Sequence, residues 1–276
     1  MPAAPLCELA ALVAMIPDGA KLAVPSENCG VAMTATRELV RRGARGLHLV
    51  CVPVSGLQAD IMIGAGLVSI IETSAVTLGE FGPAPRFSAA LREKRVHMLE
   101  STCPAIHAAL QAAQKGIPFT PLRGLIGSDV LTHRPDWKVI DNPFQAADAI
   151  VVLPAIQPDI ALFHAPFADR YGNVFIGRWR ELLTLAHAAR RTVVTVERIT
   201  ERNLLEDVER SPGVIPAIYI TGIAEARRGA WPLRFGAEYP ADDAAIEGYV
   251  AAAHTEAGFR GWLETWLAHD SVQALA

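Results

Sequence analysis

The sequence predicts an α/β fold, in which an open, mostly parallel sheet is covered by helices on both faces. Short apolar runs rich in β-branched residues alternate with stretches of helical periodicity, and this alternation is typical of parallel sheets with helical crossovers. The 276 residues are 51% hydrophobic, enough for a core that buries roughly three quarters of the unfolded surface. No repeat or low-complexity linker divides the chain, so we expect a single domain over residues 1–276.

The first elements follow one another closely. Residues 1–16 show an apolar helical pattern before a turn of Pro, Asp and Gly, which predicts a first helix. A strand is predicted over residues 21–25 and a helix over residues 34–42, which ends at a glycine. The apolar run at residues 47–54 predicts a second, fully buried strand.

The same two patterns continue along the chain. Further strands are predicted at residues 68–71, 75–78, 96–99, 150–153, 160–164 and 192–197. Further helices are predicted at residues 83–94, 104–115, 179–190 and 258–268. Residues 117–144 are rich in Pro, Gly and Asp with poor periodicity, so we expect a long irregular loop there. Residues 169–173 contain a Gly-Asn turn signal between two β-like runs and predict a hairpin.

Charge and cysteine content exclude several classes of protein. The formal net charge is −4, which disfavours binding to nucleic acid or to an anionic membrane surface. No apolar run approaches the roughly 20 residues of a membrane span. The four cysteines are widely spaced without a Cys-x-x-Cys pair, so we expect free thiols in a reducing, cytoplasmic compartment.

Several well-known catalytic motifs do not occur. The eight histidines form no His-x-x-x-His pair or Cys/His cluster, so no metal site is predicted. The chain has no Gly-x-Ser-x-Gly elbow and no phosphate-binding P-loop. The glycines at 64 and 66 half-match a dinucleotide fingerprint, but they follow a helical run and are better explained as a helix C-terminus.

Two carboxylates stand where α/β proteins gather their ligands. Glu27 comes directly after the first predicted strand, and Ser26 and Asn28 flank it as candidate substrate-binding residues. Glu100 ends the strand predicted at residues 96–99, just before a Ser-Thr pair that can cap the next helix. Because ligands bind beyond the carboxyl ends of parallel strands, both are candidate catalytic residues in one crevice.

The chain resembles the α subunits of family I coenzyme A (CoA) transferases, in particular those of the glutaconate type. The resemblance begins with DIMIGAGLV at residues 60–68 and LGEFGPAPRF at residues 78–87. Similar blocks follow in the family order at residues 116–121, 140–144, 152–155, 158–159, 164–165, 169–173 and 194–197. The ordered series covers about residues 8 to 200, and this order is more specific than any single block.

The resemblance implies a fold related to the sugar-phosphate isomerase group and a hetero-oligomer in which the partner is a β subunit. A glutamate carboxylate in such enzymes attacks an acyl-CoA thioester and becomes a glutamyl-CoA thioester. In the glutaconate type that glutamate belongs to the β subunit, while the α subunit forms part of the acyl pocket. The substrates implied are acyl-CoA and a small carboxylic or dicarboxylic acid, with no tightly bound cofactor.

The resemblance also indicates which residues line the acyl or carboxylate site. Gly79, Glu80 and Phe81 match the loop that faces substrate. We add Arg123, because a dicarboxylate needs a bidentate cation and this arginine lies in the predicted loop. Ser128, in the same loop, is a further candidate.

Two departures from the family pattern keep other functions open. Residues 26–30 replace the usual glycine-rich segment, and Cys103 stands where relatives carry a second acid after Glu100. One alternative is therefore a hydrolase of CoA thioesters or of carbon–carbon bonds that uses Glu100 or Glu27. Another is a non-catalytic subunit that only binds a CoA ester or its partner chain.

Overall fold

The computed structural model describes residues 6–268 of the chain. Its helices are α1 (Leu9–Ala14), α2 (Met33–Arg42), α3 (Leu57–Gly64), α4 (Pro85–Arg92), α5 (Cys103–Gln114), α6 (Val130–His133), α7 (Arg180–Ala188), α8 (Asp243–Ala253) and α9 (Glu256–Ala268). Its strands are β1 (Lys21–Pro25), β2 (Leu47–Val52), β3 (Val54–Ser55), β4 (Val68–Thr73), β5 (Ala75–Val76), β6 (His97–Glu100), β7 (Phe119–Leu122), β8 (Lys138–Asp141), β9 (Ala149–Pro154), β10 (Ile160–Asp169), β11 (Val174–Phe175), β12 (Arg191–Thr200), β13 (Val214–Ile215) and β14 (Gly222–Glu225).

A parallel sheet forms the centre of the molecule. Seven strands lie in the order β14-β12-β10-β1-β2-β4-β6, and every neighbouring pair among them is parallel. The short strands β11 and β13 join antiparallel at the end of β10. The predicted mostly parallel α/β fold is confirmed, and β1 lies near the middle of the sheet.

Helices cover both faces of this sheet, as predicted. Leu22 and Val24 of β1 pack into the larger core with α1, α2, α8 and α9. Ala23, between them, points to the other face and packs with α5 and α7. Because side chains alternate along a strand, the buried run of β1 supplies apolar groups to both layers at once.

Residues 117–144 differ from the sequence prediction. They are not one irregular loop, because β7 and β8 each pair antiparallel with β9, one on either side of it. Helix α6 lies between β7 and β8 along the chain. All four residues of β8 are exposed and β7 contains a proline. This sheet therefore lacks the apolar alternation by which a half-buried strand is recognised. Its inner face packs around Leu125, Trp137 and Val151.

Most other predicted elements are present with small shifts of their ends. The run at residues 47–54 divides into β2 and β3, and β3 pairs with β5 in a separate two-stranded sheet. The hairpin at residues 169–173 is confirmed by the antiparallel pairing of β10 and β11. Helix α1 begins at Leu9, and residues 1–5 of the predicted first helix lie outside the described part of the chain. The sequence reading missed α8 and β14.

Candidate active site

A cavity of about 770 Å³ opens beyond the carboxyl end of β1. Its lining comes from three segments, which are residues 27–28, residues 77–81 and residues 233–246, together with Val54. The volume lies within the range of roughly 300–1,000 Å³ that is usual for ligand sites. Its place also agrees with the rule that α/β sheets bind ligands at the carboxyl ends of their strands.

Glu27 lines this cavity, and its carboxyl group is packed against the start of α3. Oε1 accepts a hydrogen bond from the Leu57 N–H at 3.2 Å. Oε2 is shielded from solvent and has no hydrogen-bond partner among the described residues. Gly56 lies so close that a Cβ there would come within 2.6 Å of Oε2. The glycine is what leaves room for the buried carboxyl group.

This environment changes the acidity of Glu27. Burial raises its pKa to about 7, because the charged form loses its hydration. The N–H groups of Leu57 and Gly56 lower the pKa, but by less, and the nearby Asp60 carboxyl raises it further. Glu27 therefore exchanges its proton near neutral pH, unlike an ordinary glutamate.

The neighbours of Glu27 are directed in different ways. Asn28 is exposed, lines the cavity and adopts a left-handed backbone conformation, with φ at 64°. The Ser26 hydroxyl donates instead to Glu181 on α7 at 3.2 Å, and the Cys29 thiol lies 3.4 Å from the other oxygen of Glu181. Burial raises the pKa of the Cys29 thiol. Of the three, only Asn28 belongs to the described cavity lining.

Residues 77–81 form the second wall, as the sequence indicated. Gly79 has φ at 61° and opens a short 3-10 helix over Gly79–Phe81. The Leu78 N–H donates to the Gly82 carbonyl at 3.0 Å, which closes this turn on itself. Glu80 is exposed and Phe81 packs partly against the main core. Gly79, Glu80 and Phe81 all line the cavity.

Asp60 anchors the start of α4, which follows this wall in the chain. Its buried carboxylate accepts hydrogen bonds from the N–H groups of Arg86 and Phe87 and from the Tyr249 hydroxyl, at 3.3, 2.6 and 2.5 Å. Burial raises the pKa of Asp60, while these hydrogen bonds lower it. The two sequence blocks at residues 60–68 and 78–87 thus meet at one carboxylate, which joins α3 to the start of α4 and to α8.

Residues 233–246 form the third wall, which the sequence reading missed. Phe235 is fully buried, and Tyr239 donates its hydroxyl hydrogen to Glu197 Oε1 at 2.8 Å. The available signals were the two aromatic residues and Asp242, whose side chain accepts the Ala245 N–H at 3.0 Å as the cap of α8. Asp242 can be recognised as the start of a helix, but none of these residues indicates a cavity wall.

Glu197, at the carboxyl half of β12, is the centre of a buried hydrogen-bond network. Besides Tyr239 it contacts His164 Nε2 at 2.8 Å, and it accepts the backbone N–H groups of Arg228 and Gly229 at 2.6 and 3.2 Å. Burial raises the pKa of Glu197, but the hydrogen bonds and charge of its neighbours outweigh it, so this pKa lies below its ordinary value. The network fixes residues 228–239 to the sheet.

Glu100 is placed apart from this cavity. It ends β6, the outermost strand on its side of the sheet, and β4 and β2 lie between it and β1. Strands lie about 4.8 Å apart, so the ends of β6 and β1 are separated by roughly 14 Å. Glu100 Oε2 lies 3.2 Å from His133 Nδ1, and both side chains are exposed. The structure does not bring Glu27 and Glu100 together.

Arg123 and Ser128 also lie outside the described cavity lining. The Arg123 guanidinium forms a two-point ion pair with Asp148, with both N···O distances at 2.5 Å, on the exposed three-stranded sheet. The Ser128 hydroxyl accepts the Val130 N–H at 3.3 Å and so begins α6. Neither residue contacts the walls described above.

Neither a metal-binding cluster nor a membrane-spanning helix is found in the described part of the chain. Within residues 6–268, no group of three His, Cys, Asp or Glu side chains is arranged to hold a metal ion. No helix in the same range has both the length and the apolar character needed to cross a membrane.

The family profile and the named relatives that match this chain agree with one another. Residues 7–224 match the profile of the family described as coenzyme A transferase. An uncharacterized protein of Archaeoglobus fulgidus is 30% identical over 86% of this chain, although the chain spans only 53% of that relative's length. The A subunit of 3-oxoadipate CoA-transferase from Pseudomonas knackmussii is 28% identical over 91% of this chain and 88% of the relative. The A subunit of glutaconate CoA-transferase from Acidaminococcus fermentans is 27% identical over 84% and 78%.

Two solved structures have the same fold. A cysteine-to-serine variant of the decarboxylase AibA/AibB superposes with a TM-score of 0.85 at 29% identity, covering 98% of this chain and 100% of the matched chain. Glutaconate coenzyme A-transferase from Acidaminococcus fermentans superposes with a TM-score of 0.86 at 24% identity, covering 95% of this chain and 88% of the other.

Proposed function

The chain belongs to the coenzyme A transferase family, and from this membership we propose that it is the α subunit of a heteromeric enzyme that moves CoA between an acyl-CoA and a small carboxylic acid. Relatives named as A subunits of such transferases cover most of the chain at 27% and 28% identity. A second, β-type subunit is the partner that this proposal requires.

The position of residues 77–81 carries the proposal. The segment singled out by its family resemblance lines the cavity of about 770 Å³ at the carboxyl end of β1. Apolar side chains of Leu78, Phe81, Leu233 and Ile246 line the same space. Such walls suit the hydrocarbon part of an acyl group, which leaves water on binding.

The reaction proposed proceeds through a carboxylate nucleophile on the partner subunit. The glutamate oxygen attacks the thioester carbon, the C–S bond breaks, and an acyl–glutamyl anhydride and CoA thiolate form. The thiolate then attacks the glutamyl carbonyl, and the first acid leaves as a carboxylate. The acceptor acid reverses these two steps on the resulting glutamyl-CoA thioester. CoA is thus a substrate, and the electron pairs balance at every step.

This chain's share of that reaction is to bind and orient the acyl group. Gly79 adopts the left-handed conformation that favours glycine, and the turn it makes brings the backbone of residues 78–81 to the cavity. Phe81 and Leu78 then contact the acyl chain, and Glu80 and Asn28 lie at the solvent side. Shape and apolar contact at this wall select the length of the acyl group.

The acidity of Glu27 favours a second candidate function, hydrolysis of a CoA ester. A carboxyl group with a pKa near 7 in the wall of a cavity is suited to accept a proton from water at neutral pH. Its Oε2 is shielded by Gly56 and Leu57, so this role requires the side chain to turn toward the cavity. Glu100 serves this alternative less well, because it lies on the far side of β2 and β4.

One experiment separates the two candidates. The chain is purified with its β-type partner and incubated with acetyl-CoA, butyryl-CoA or glutaryl-CoA, with and without acetate or butyrate as acceptor. Transfer predicts a new CoA ester that appears only when an acceptor acid is present. Release of free CoA in water alone, at the same rate, rejects transfer and supports hydrolysis.

Mass spectrometry of the same mixtures identifies the nucleophile. We expect a glutamyl-CoA adduct on the partner chain. Detection of the adduct on Glu27 or Glu100 of this chain overturns that assignment. If no adduct forms and Glu27→Gln and Glu100→Gln leave the rate unchanged, only a binding role remains for this chain.

A further inference from the structure

The cavity carries an unusual balance of charges for an enzyme that must admit an acid. Four carboxyl groups are found in its described lining, on Glu27, Glu80, Glu238 and Asp243. Arg234 is the one cationic side chain among the described lining residues. A free carboxylate entering this space is repelled by most of the charged groups that it meets.

The local structure directs Arg234 toward this space. Its neighbours Leu233 and Phe235 are both buried, with 4% and 0% of their surface exposed. The chain thus enters the core on either side of Arg234, while this side chain itself stays outside it. Arg234 itself is exposed and lines the cavity.

The backbone that carries Arg234 is held firmly. The Phe235 N–H donates to the Tyr239 carbonyl at 3.1 Å, which closes a tight loop. The Phe235 ring packs against Trp179 and His164, with ring centroids 5.1 and 4.6 Å apart. A rigid base of this kind fixes the backbone from which the Arg234 side chain extends.

Arg234 also lacks an ion-pair partner within residues 6–268. Its side chain makes a marginal polar contact, from Nε to the Gly236 carbonyl at 3.5 Å. The nearest acid along the chain, Glu238, is paired with Arg198 at 3.2 Å. Arg123 differs, because its guanidinium is already occupied by Asp148. Arg234 is therefore available to bind an anion.

We propose that Arg234 binds the carboxylate of the acceptor acid and thereby determines where this acid lies in the cavity. The inference rests on the proposed function, since CoA transfer requires a free carboxylate to enter. The planar guanidinium matches a carboxylate with two parallel hydrogen bonds. The hydrocarbon part of the acid then lies against Phe81 and Leu78, away from the residues 233–239 that hold its charged end.

Binding measurements on the full chain in its complex test the proposal, with butyrate, glutarate and CoA as the three probes. We expect Arg234→Gln to weaken the binding of butyrate and glutarate about 10- to 100-fold, which is the usual value of a hydrogen-bonded charge. Arg234→Lys should restore part of the lost affinity, because lysine keeps the positive charge but cannot form two parallel hydrogen bonds to one carboxylate. Arg123→Gln is the matched control and leaves both dissociation constants unchanged.

Three results would overturn the proposal. The first is that the wild type and Arg234→Gln bind the acids with equal dissociation constants. The second is that neither acid binds to the wild type. The third is weaker binding of CoA with unchanged binding of the acids, which assigns Arg234 to a phosphate group instead. Equal thermal midpoints for all variants show that folding is intact.

Failure of the proposed function has a separate signature. Release of free CoA without an acceptor rejects transfer but does not alter the measured effect of Arg234→Gln on acid binding. The two proposals therefore succeed or fail on different measurements.

Discussion

The hydroxyl of Tyr239 lies 2.8 Å from Glu197 Oε1, and this contact joins the third wall of the cavity to the central sheet. The same hydroxyl accepts the Ala230 N–H at 3.0 Å. Tyr239 lines the cavity, whereas Glu197 belongs to β12. One side chain therefore connects the ligand space to the buried network around His164.

Tyr239→Phe tests the importance of this connection. The change removes one donor from a buried carboxylate and leaves the Ala230 N–H without its acceptor, so the free energy of unfolding should fall by about 1–3 kcal/mol. Urea unfolding followed by fluorescence measures it. Tyr171→Phe, at a tyrosine that is 42% exposed, is the control and should change stability by less than about 0.5 kcal/mol. Equal effects of the two changes would contradict a role for the network.

Glu27 should make stability depend on pH in a definite direction. Its folded pKa of about 7 lies above its ordinary value of 4.5, so the folded state holds this proton more tightly than the unfolded state. The stabilisation is complete below pH 4.5 and is lost as the pH rises through 7. The difference amounts to about 3 kcal/mol.

Glu27→Gln removes that dependence, because the amide carries no titrating proton. Unfolding free energies of wild type and variant, measured between about pH 4 and 8, should diverge as the pH rises, with the variant more stable at the upper end. Glu209→Gln, at an exposed glutamate, should give a curve parallel to wild type. Parallel curves for Glu27→Gln would show that the carboxyl group titrates normally.

Gly56 and Gly261 form a matched pair for a steric test. A Cβ at Gly56 meets the Glu27 carboxyl group at 2.6–2.7 Å, whereas one at Gly261 meets nothing within 4 Å. Gly56→Ala should cost about 1–3 kcal/mol. Gly261→Ala, inside α9, should stabilise the protein by up to about 1 kcal/mol, because alanine favours the helix. Thermal and urea unfolding measure the stability of both variants. Similar changes in the free energy of unfolding would contradict crowding at Glu27.

The three-stranded sheet is attached to the main sheet by a buried ion pair. Arg134 Nη2 lies 2.8 Å from Glu72 Oε1, and their side chains are 4% and 3% exposed. Glu72→Gln leaves a buried guanidinium whose remaining counterion among residues 6–268 is the partly exposed Asp136, so we expect a loss of about 3 kcal/mol. Glu201→Gln breaks the exposed pair with Arg170 and should cost no more than about 1 kcal/mol. A loss for Glu72→Gln as small as for this control, in urea unfolding, would refute the attachment.

The buried parallel strands were predictable because their apolar runs serve both faces of the sheet. β1, β10 and β12 carry this pattern in consecutive residues. The place of Glu27 also followed from the sequence, because it comes directly after such a strand. Its raised pKa did not, because it results from burial of the carboxyl group against residues near Gly56, which are distant in the chain, and no local pattern encodes this packing.

The third wall and the three-stranded sheet were harder to predict for a related reason. Residues 228–239 are ordered by Glu197, which lies in an earlier strand and whose partners are two backbone N–H groups and the side chains of His164 and Tyr239. Arg123 was selected as a bidentate cation for a dicarboxylate in a predicted loop, but the pairing of β7 with β9 brings it to Asp148. Arg234 carries no distinguishing sequence pattern, and only the structure reveals that it is exposed and lines the cavity.

The manner in which the third wall is held has a consequence for how such enzymes diverge. Residues 228–239 are held by one carboxylate, a few backbone contacts and the buried Phe235 ring rather than by strand pairing within the sheet. Substitutions at the exposed positions of that segment, such as Arg234, leave the parallel strands and both helical layers untouched. The substrate range of such a protein can therefore drift during evolution through these exposed positions while its folding stability stays nearly constant.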